Sequence, residues 1–551
     1  VGTRTRFALV YPNSYFVGMS NLGFHIIYDL LNKRSDTACE RVFLPERTKV
    51  ERYVNTRTPI MSMETQSPLY DFDVLGFAVS FEMDYFNILQ LLSMGKVKAK
   101  AAERGERDPI LVTGGPCPTF NPEPLAAIFD AFIIGEGEVI MPALMDAYQA
   151  AKREGLPRNE LLQKLAEVPG VYVPSLYAHH YDDEGHLTAI EPLSGAPAAV
   201  SRQWVHDLDA YPAHTVVVTD NTEFNFYLIE TARGCGRHCR FCMAGYCFRE
   251  PRPRKLENIL ADIAKRPERT KKVGLMGAAV SDHPQMAELT EYLVEHKIPF
   301  SVASMRADML TEQIAHALAQ SGQRTMTVAP EAGSERMRAA INKGITEEHV
   351  YNSIELAAAA GMRNIKLYYM IGLPGEEDED IVETVEMIKR VRAKMDAVGN
   401  KGELVISVNG FVPKPFTPYQ WAPLCNVRTL KKRFKILGDG LKKEKRIKLI
   451  TESLKETVVQ SVLARGSRRI GEALLKAHVE GRSLKQVLKE EGLDAEELAE
   501  RELQVGQPLP WQHLDMGVTQ EYLAAELQRS ESGKFTPMCF DGCRRCGVCR
   551  E

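Results

Sequence analysis

Arg233-Gly234-Cys235-Gly236-Arg237-His238-Cys239-Arg240-Phe241-Cys242 sets three cysteines at i, i+4 and i+7, directly after the apolar run Tyr227–Thr231. A loop with that spacing can turn three thiolates toward one centre. Three soft ligands suit an iron–sulfur cluster with one iron left open. Gly234 and Gly236 let the backbone wrap closely, and Arg233, Arg237 and Arg240 stand where they can offset thiolate charge. The competing assignment is a zinc site that recruits His238 from inside the loop. The position of the motif at the end of a strand favours the cluster. Cys247, five residues further on, reads as a small buried hydrophobe.

Toward the C-terminus, strand candidates Lys272–Met276, Ser301–Ser304, Arg324–Ala329, Asn364–Met370 and Leu404–Val408 alternate with helical stretches. With Tyr227–Thr231 they make six βα steps, which predicts a partial or full parallel α/β barrel over residues 226–422. Toward the N-terminus, Phe7–Tyr11, Val74–Val79, Ile110–Thr113 and Phe132–Ile134 are continuous apolar runs separated by helix patterns at Leu22–Leu31 and Phe86–Met94. Such runs predict a parallel sheet covered on both faces, a Rossmann-like α/β domain over residues 1–145 with its ligand edge at the Gly- and Pro-rich strand ends. Residues 146–225 read as a connector with a small β region, and residues 423–551 as mostly α-helical.

The composition fits this plan. The chain has 551 residues, enough for several domains, and 69 Lys plus Arg against 73 Asp plus Glu leave a net charge of −4, which excludes a surface given over wholly to nucleic acid. No apolar run reaches the roughly 18 residues that a membrane span needs, and a cytoplasmic protein without membrane association is expected. Eleven cysteines are too few and too clustered for a disulfide scaffold. Four of them, Cys539, Cys543, Cys546 and Cys549, crowd the end of the chain. Their spacing is closer to a ferredoxin run than to a zinc ribbon, so a second [4Fe-4S] cluster is expected there, with zinc as the alternative. From Arg428 to Lys448, ten of twenty-one residues are basic, while Leu430, Phe434, Leu437 and Leu441 recur at helical spacing. A solvated helix face is the simpler reading; RNA phosphate binding through Lys431, Lys432 and Arg433 is the sharper one.

The cysteine loop resembles the radical S-adenosylmethionine (SAM) enzymes, whose hallmark is C-x3-C-x2-C with an aromatic residue, here Phe241, before the last cysteine. The resemblance implies a [4Fe-4S] cluster on Cys235, Cys239 and Cys242, SAM chelated at the fourth iron, and reductive cleavage to a 5′-deoxyadenosyl radical. It extends over the barrel. Gly274–Asp282, Ser304–Asp308, Ala329–Arg336 and Lys366–Glu376 look like the family's successive strand ends, and imply cofactor contacts from Ser281, Asp282, Arg306, Glu331 and Ser334. Read without the family, Ser281, Arg306, Glu331 and Ser334 each serve equally as a helix cap or a surface group.

The N-terminal domain resembles the cobalamin-binding type. Val112-Thr113-Gly114-Gly115-Pro116, Asn121-Pro122-Glu123-Pro124, Asp130 and Gly135-Glu136-Gly137-Glu138 follow that type's order, which implies cobalamin contacts at Gly114, Gly115, Glu123, Gly135, Glu136 and Gly137. The methylthiotransferase type would need three cysteines here, and only Cys39 and Cys117 are present. The Asp-x-His-x-x-Gly pattern is missing from residues 1–145 and His25 is their only histidine, so cobalamin without a lower histidine ligand is implied. A Rossmann-like domain that lost the cofactor is the alternative. The expected activity is methyl transfer to an unactivated carbon, by a monomer served by a one-electron reductant such as flavodoxin or ferredoxin. The rivals are a non-methylating cyclase or oxidase of the same class and an RNA-modifying enzyme.

Overall fold

The computed structural model describes residues 4–193, 195–223 and 225–549; residues 1–3, 194, 224, 550 and 551 of the expected first, connecting and last segments lie outside it. The first sheet runs in the order β2 (Thr37–Phe43), β1 (Thr5–Tyr11), β3 (Val74–Ala78), β4 (Ile110–Gly114), β5 (Ala131–Ile133), β6 (Val171–Tyr172). Strands β1 to β5 are parallel and β6 is antiparallel to β5. The order 2-1-3-4-5 is that of doubly wound sheets, with its switch point between β1 and β3. Phe7, Ala8, Val10, Leu75 and Leu111 are fully buried or nearly so, which is why these strands read as unbroken apolar runs.

Two strands of this sheet escape the apolar-run pattern. β2 is interrupted by Glu40 and Arg41, whose side chains leave the ladder to meet Ser62 and Glu64. β6 lies beyond residue 145, in the segment expected to be a connector, and is only two residues long. The rest of that segment forms a hairpin, β7 (Tyr177–Tyr181) and β8 (Leu187–Pro192), and then β9 (Val200–Ser201).

The second α/β unit holds β10 (Tyr227–Glu230), a two-residue ribbon β11 (Ala232–Arg233) and β12 (Arg252–Pro253) that brackets the cysteine loop, then β13 (Val273–Met276) and β14 (Phe300–Val302). It continues with β15 (Thr325–Glu331), β16 (Asn364–Ile371), β17 (Leu404–Gly410) and β18 (Ile447–Thr451). Strands β10, β13 and β14 pair in parallel, as do β15 to β18, and a parallel bridge from Met305 to Val328 joins the two sets into one open barrel. The expected six strands are therefore seven. β18 falls in the basic tract expected to be helical; its alternating Lys448 and partly buried Ile447 and Leu449 give an edge strand, not a core one.

The remaining chain is helical and straddles both units. Helix Arg468–Glu480 packs against Glu123–Leu125 and Tyr85–Met94 of the first, while helix Gln520–Glu531 packs against Glu335–Ala340 of the barrel. Among the described residues no helix is long and apolar enough to cross a membrane.

Candidate active site

The C-terminal ends of the first sheet face the mouth of the barrel across a cavity of about 510 Å3. On the sheet side the lining includes the small residues Gly76, Ala78, Ser80, Gly114, Gly115 and Gly135 beside Phe7, Leu9 and Ile133, flanked by Leu22, Phe24 and Ile26 of the helix Leu22–Asn32. Asn21 caps that helix by accepting from the Phe24 N–H at 3.0 Å. Gly115 has φ +106°, and a Cβ there would lie 2.5 Å from the Val79 carbonyl oxygen. Gly135 has φ +127°, and its Cβ would meet the Gln203 carbonyl at 2.0 Å. No other residue fits either turn. On the barrel side the lining includes Arg233, Gly234, Ala244 and Met276–Ala278, so the cavity touches the cysteine loop itself.

Each of the three arginines of that loop is taken by carboxylates in a different direction, and Arg237 also interacts electrostatically with Cys235. Arg233 reaches Glu138 at 2.7 Å, Glu136 at 3.0 Å and Glu230 at 2.9 Å, fastening the loop to the first sheet. Arg237 pairs with Asp282 at 2.9 Å and Asp308 at 3.3 Å at the barrel mouth. Arg240, fully buried, bonds Glu526 at 3.1 Å, the Ala340 carbonyl at 2.7 Å and the Lys534 carbonyl at 2.6 Å, fastening the loop to the C-terminal region. The loop is thus held from three sides, independently of any ligand.

Cys239 is buried, and Cys235 and Cys242 are partly so. Burial raises the Cys235 thiol, and burial together with the neighbouring Cys239 and Cys235 pushes Cys242 up to about 12. Two such raised thiols in one loop are poor free thiolates. A metal centre would draw their protons off, and the donor set therefore fits an iron–sulfur cluster. His238 faces away from them. Its Nδ1 accepts from Arg249 at 2.9 Å and from the Tyr522 hydroxyl at 2.5 Å, which leaves Nε2–H to donate to Cys539 Sγ at 3.5 Å. Burial, then Arg249, depress this histidine to about 2, so the ring is neutral. With both nitrogens engaged by Arg249, Tyr522 and Cys539, it is not turned to the loop cysteines to complete a zinc site with them.

The strand ends of the barrel form a connected run of charge. From Arg237 it passes through Asp282 and Asp308 to Arg306, which pairs with Asp308 at 2.9 Å and donates to the Lys343 carbonyl at 2.9 Å. Lys343 Nζ then meets Glu331 at 3.1 Å. The structure thereby brings three of the expected SAM contacts, Asp282, Arg306 and Glu331, into one network beside Cys235, whose Sγ accepts from the Arg237 N–H at 3.4 Å. Ser281 is buried in the turn Val280–Asp282. Ser334 is elsewhere: it caps helix Glu335–Ala340 and donates to Asp380 at 2.7 Å, which is the capping alternative. Lys343 is the member that sequence reading missed. Although burial works against its charge, Glu331 and Cys239 hold it above its usual range. A lone lysine between Asn342 and Gly344 carries no pattern that would have marked it.

Among the residues expected to contact cobalamin, Gly114, Gly115, Gly135, Glu136 and Gly137 line the cavity. The Glu136 carboxylate is committed to Arg252 at 2.7 Å and to the Val205 N–H at 2.8 Å; burial would raise it, but Arg252 and Arg233 outweigh burial and keep it ionised. Glu123 lies outside the cavity lining, bound to Arg468 at 2.6 Å and Tyr172 at 2.5 Å. The Pro-Glu pattern marked it correctly as special but assigned it to the wrong site. His25 is a core residue: Nε2 donates to the Met19 carbonyl at 3.0 Å and Nδ1 accepts from the Val216 N–H at 3.4 Å. Among the described residues no histidine lines the cavity.

The four terminal cysteines fold back onto the loop. The Cys539 N–H donates to the Gly236 carbonyl at 2.8 Å, and Cys549 Sγ donates to Glu250 at 3.4 Å. Arg545 holds the Cys543 sulfur at 3.3 Å. In the basic tract, Arg433 is buried against Glu376 and Asp378, and Lys432 also pairs with Asp378.

Comparison with known proteins agrees with this architecture. Residues 23–174 match the family model described as radical SAM proteins, N-terminal, and residues 229–388 match that of the radical SAM superfamily. An uncharacterized protein of Methanocaldococcus jannaschii is 29% identical over 469 residues, 85% of this chain and 90% of that protein. An uncharacterized methyltransferase of Pyrococcus horikoshii is 24% identical over 316 residues, 53% of this chain and 60% of that one. Among solved structures, the radical SAM methyltransferase TsrM of Kitasatospora setae, with cobalamin and a [4Fe-4S] cluster bound, shares the fold with a TM-score of 0.55 at 14% identity, covering 87% of this chain and 100% of TsrM.

Proposed function

Because this chain belongs to the radical SAM superfamily, we propose that it is a cobalamin-dependent member that transfers a methyl group to an unactivated carbon. One observation carries the reading: a cavity of about 510 Å3 runs between a sheet edge of glycines and apolar side chains and the three-cysteine loop. A wide, flat and largely apolar group fits that bed, and TsrM, with the same fold, is described with cobalamin bound.

Cys235, Cys239 and Cys242 would hold the cluster. The network of Asp282, Arg306, Glu331 and Lys343 would receive the charged ends of SAM, and Gly76, Ala78, Gly114 and Gly115 would lie under the corrin. When bound, the cluster with SAM supplies a hydrogen-abstracting radical and the cobalamin supplies a methyl group. The chain's own part is placement and exclusion of water. Arg233, Arg237 and Arg240 fix the loop against three bodies, and the C-terminal helices close over it. Among the described residues no histidine lines the bed on which the corrin would lie. Cys539, Cys543, Cys546 and Cys549 would carry a second iron–sulfur cluster, with zinc as the alternative, and a flavodoxin or ferredoxin would deliver the electron.

The test is an anaerobic incubation of the holoprotein with SAM and a low-potential reductant. Both 5′-deoxyadenosine and S-adenosylhomocysteine are expected, with cobalamin bound in the purified protein. Deoxyadenosine without S-adenosylhomocysteine would select a non-methylating cyclase or oxidase. Neither product from protein with its iron and sulfide intact would overturn the reading.

A further inference from the structure

Outside the cavity, three segments far apart in sequence bring Glu123, His179 and His513 together. Glu123 follows β4 in the first sheet, His179 lies on the hairpin strand β7, and His513 precedes the short pairing of Leu514–Asp515 with β9. His179 Nε2 lies 3.4 Å from one carboxylate oxygen of Glu123, and His513 Nε2 lies 3.4 Å from the other. One donor atom from each of the three falls within 4.8 Å of the others. The side chains of both histidines are 2% exposed and that of Glu123 is fully buried.

Neither ring nitrogen of His179 or His513 has a hydrogen-bond partner among the described residues. Buried imidazoles almost always find partners, because an unmet donor or acceptor in the interior loses its water without replacement. Here two adjacent rings go without, and both aim Nε2 at the same carboxylate. Burial, chiefly, lowers both to about 4, so each ring is neutral and offers a lone pair. Burial would raise Glu123, but Arg468 and the hydrogen bond from Tyr172 outweigh it and keep the carboxylate ionised. Arg468 at 2.6 Å and Tyr172 at 2.5 Å orient that carboxylate from behind, the usual place for hydrogen bonds to a ligating group. The Arg468 charge opposes a cation, and the single negative charge of Glu123 offsets it.

We propose that Glu123, His179 and His513 bind one divalent transition-metal ion of the zinc class, tying the first sheet, the β7–β8 hairpin and the C-terminal segment together. Two neutral imidazoles and one carboxylate are a recurrent donor set for such ions. The site's enclosure gives it a structural role, separate from the proposed methyl transfer.

The experiment uses the full chain, purified anaerobically with its clusters, incubated with equimolar Zn2+ and desalted, with metals measured per chain. The wild type should retain about one zinc that is lost in His179→Gln and in His513→Gln with iron and sulfide unchanged, and retained in a Cys543→Ser, Cys546→Ser double variant. Zn2+ should raise the Tm of the wild type and not that of the histidine variants. Should those variants fail to fold, X-ray absorption at the zinc edge of the wild type decides: a nitrogen and oxygen shell is expected. A sulfur shell, zinc that follows the tail cysteines, or a wild type that retains no zinc overturns the proposal.

Discussion

The first sheet and the barrel turn their strand ends toward the same cavity but finish them in opposite ways. The sheet edge lines it with Gly76, Ala78, Gly114 and Gly115. The barrel lines it with Arg233, Gly234 and Met276–Ala278, and past that lining its strand ends carry Arg237, Asp282, Asp308, Arg306, Lys343 and Glu331, every one of them paired. The glycines of the sheet edge make room for its own neighbours: a Cβ at Gly76 would meet the Phe7 ring at 2.4 Å, one at Gly114 the Ile133 Cβ at 3.2 Å and one at Gly115 the Val79 carbonyl oxygen at 2.5 Å, so the edge packs into a close apolar floor. A wall that must hold a sulfonium, an amine and a carboxylate beside an iron cluster needs charges fixed in advance. Buried ion pairs contribute little net stability once desolvation is counted, so their concentration at the mouth is explained better by orientation than by folding.

If that contrast is right, damage to the two walls should have different signatures. The largest effect belongs to the cysteine loop: Cys239→Ala should lower deoxyadenosine formation to background and remove the loop's iron while cobalamin stays bound, measured by product analysis and metal content. Next is the anchor behind the barrel wall. Arg240→Met takes the fully buried partner from Glu526, leaving it Arg529 at 3.3 Å and the Thr536 hydroxyl, and should cost about 3 kcal/mol in denaturant unfolding. On the opposite wall, Ala78→Phe should weaken cobalamin retention about tenfold or more, about 1.4 kcal/mol, with cluster iron unchanged. Equal loss of both cofactors would erase the distinction between the walls. Lys343→Met should raise the KM for SAM by about tenfold, the value of one charge-assisted hydrogen bond, and leave cobalamin content unaltered.

The smallest effect is a pH dependence seated under the sheet wall. Burial depresses His25 from 6.5 to about 4, so the folded protein binds its proton less readily than the unfolded chain. The neutral ring's contribution is intact above the ordinary histidine range and is lost as pH falls from there toward 4. From about pH 7.5 to about pH 5.5 this group should remove on the order of 1 kcal/mol of unfolding free energy, a slope that His25→Asn abolishes.

The spacing of Cys235, Cys239 and Cys242, the glycines at 114, 115 and 135, and the continuous apolar strands were legible without coordinates, because each expresses a local rule. Ligand spacing follows from loop geometry, a positive φ demands glycine, and a strand covered on both faces is apolar throughout. His25 could be removed from the candidate cobalt ligands on helical pattern alone. Strands β2, β6 and β18 were not legible. They are edge or very short strands: β2 carries Glu40 and Arg41, met by Ser62 and Glu64, β6 has only two residues, and β18 alternates exposed Lys448 with half-buried Ile447 and Leu449.

The same limit governs the charges. That Arg233, Arg237 and Arg240 crowd the loop is visible in the chain. Which body each one grips is not, since the partners Glu138, Asp282 and Glu526 lie 95, 45 and 286 residues away. Glu123 shows the point most sharply: its neighbours in sequence place it in a cofactor pattern, while its neighbours in space are Arg468, 345 residues on, and two histidines. Backbone preference and periodicity act over a few residues and are written into any stretch of chain. A buried charge is decided by whichever opposite group the finished packing brings within about 3 Å, and that is a property of the whole fold.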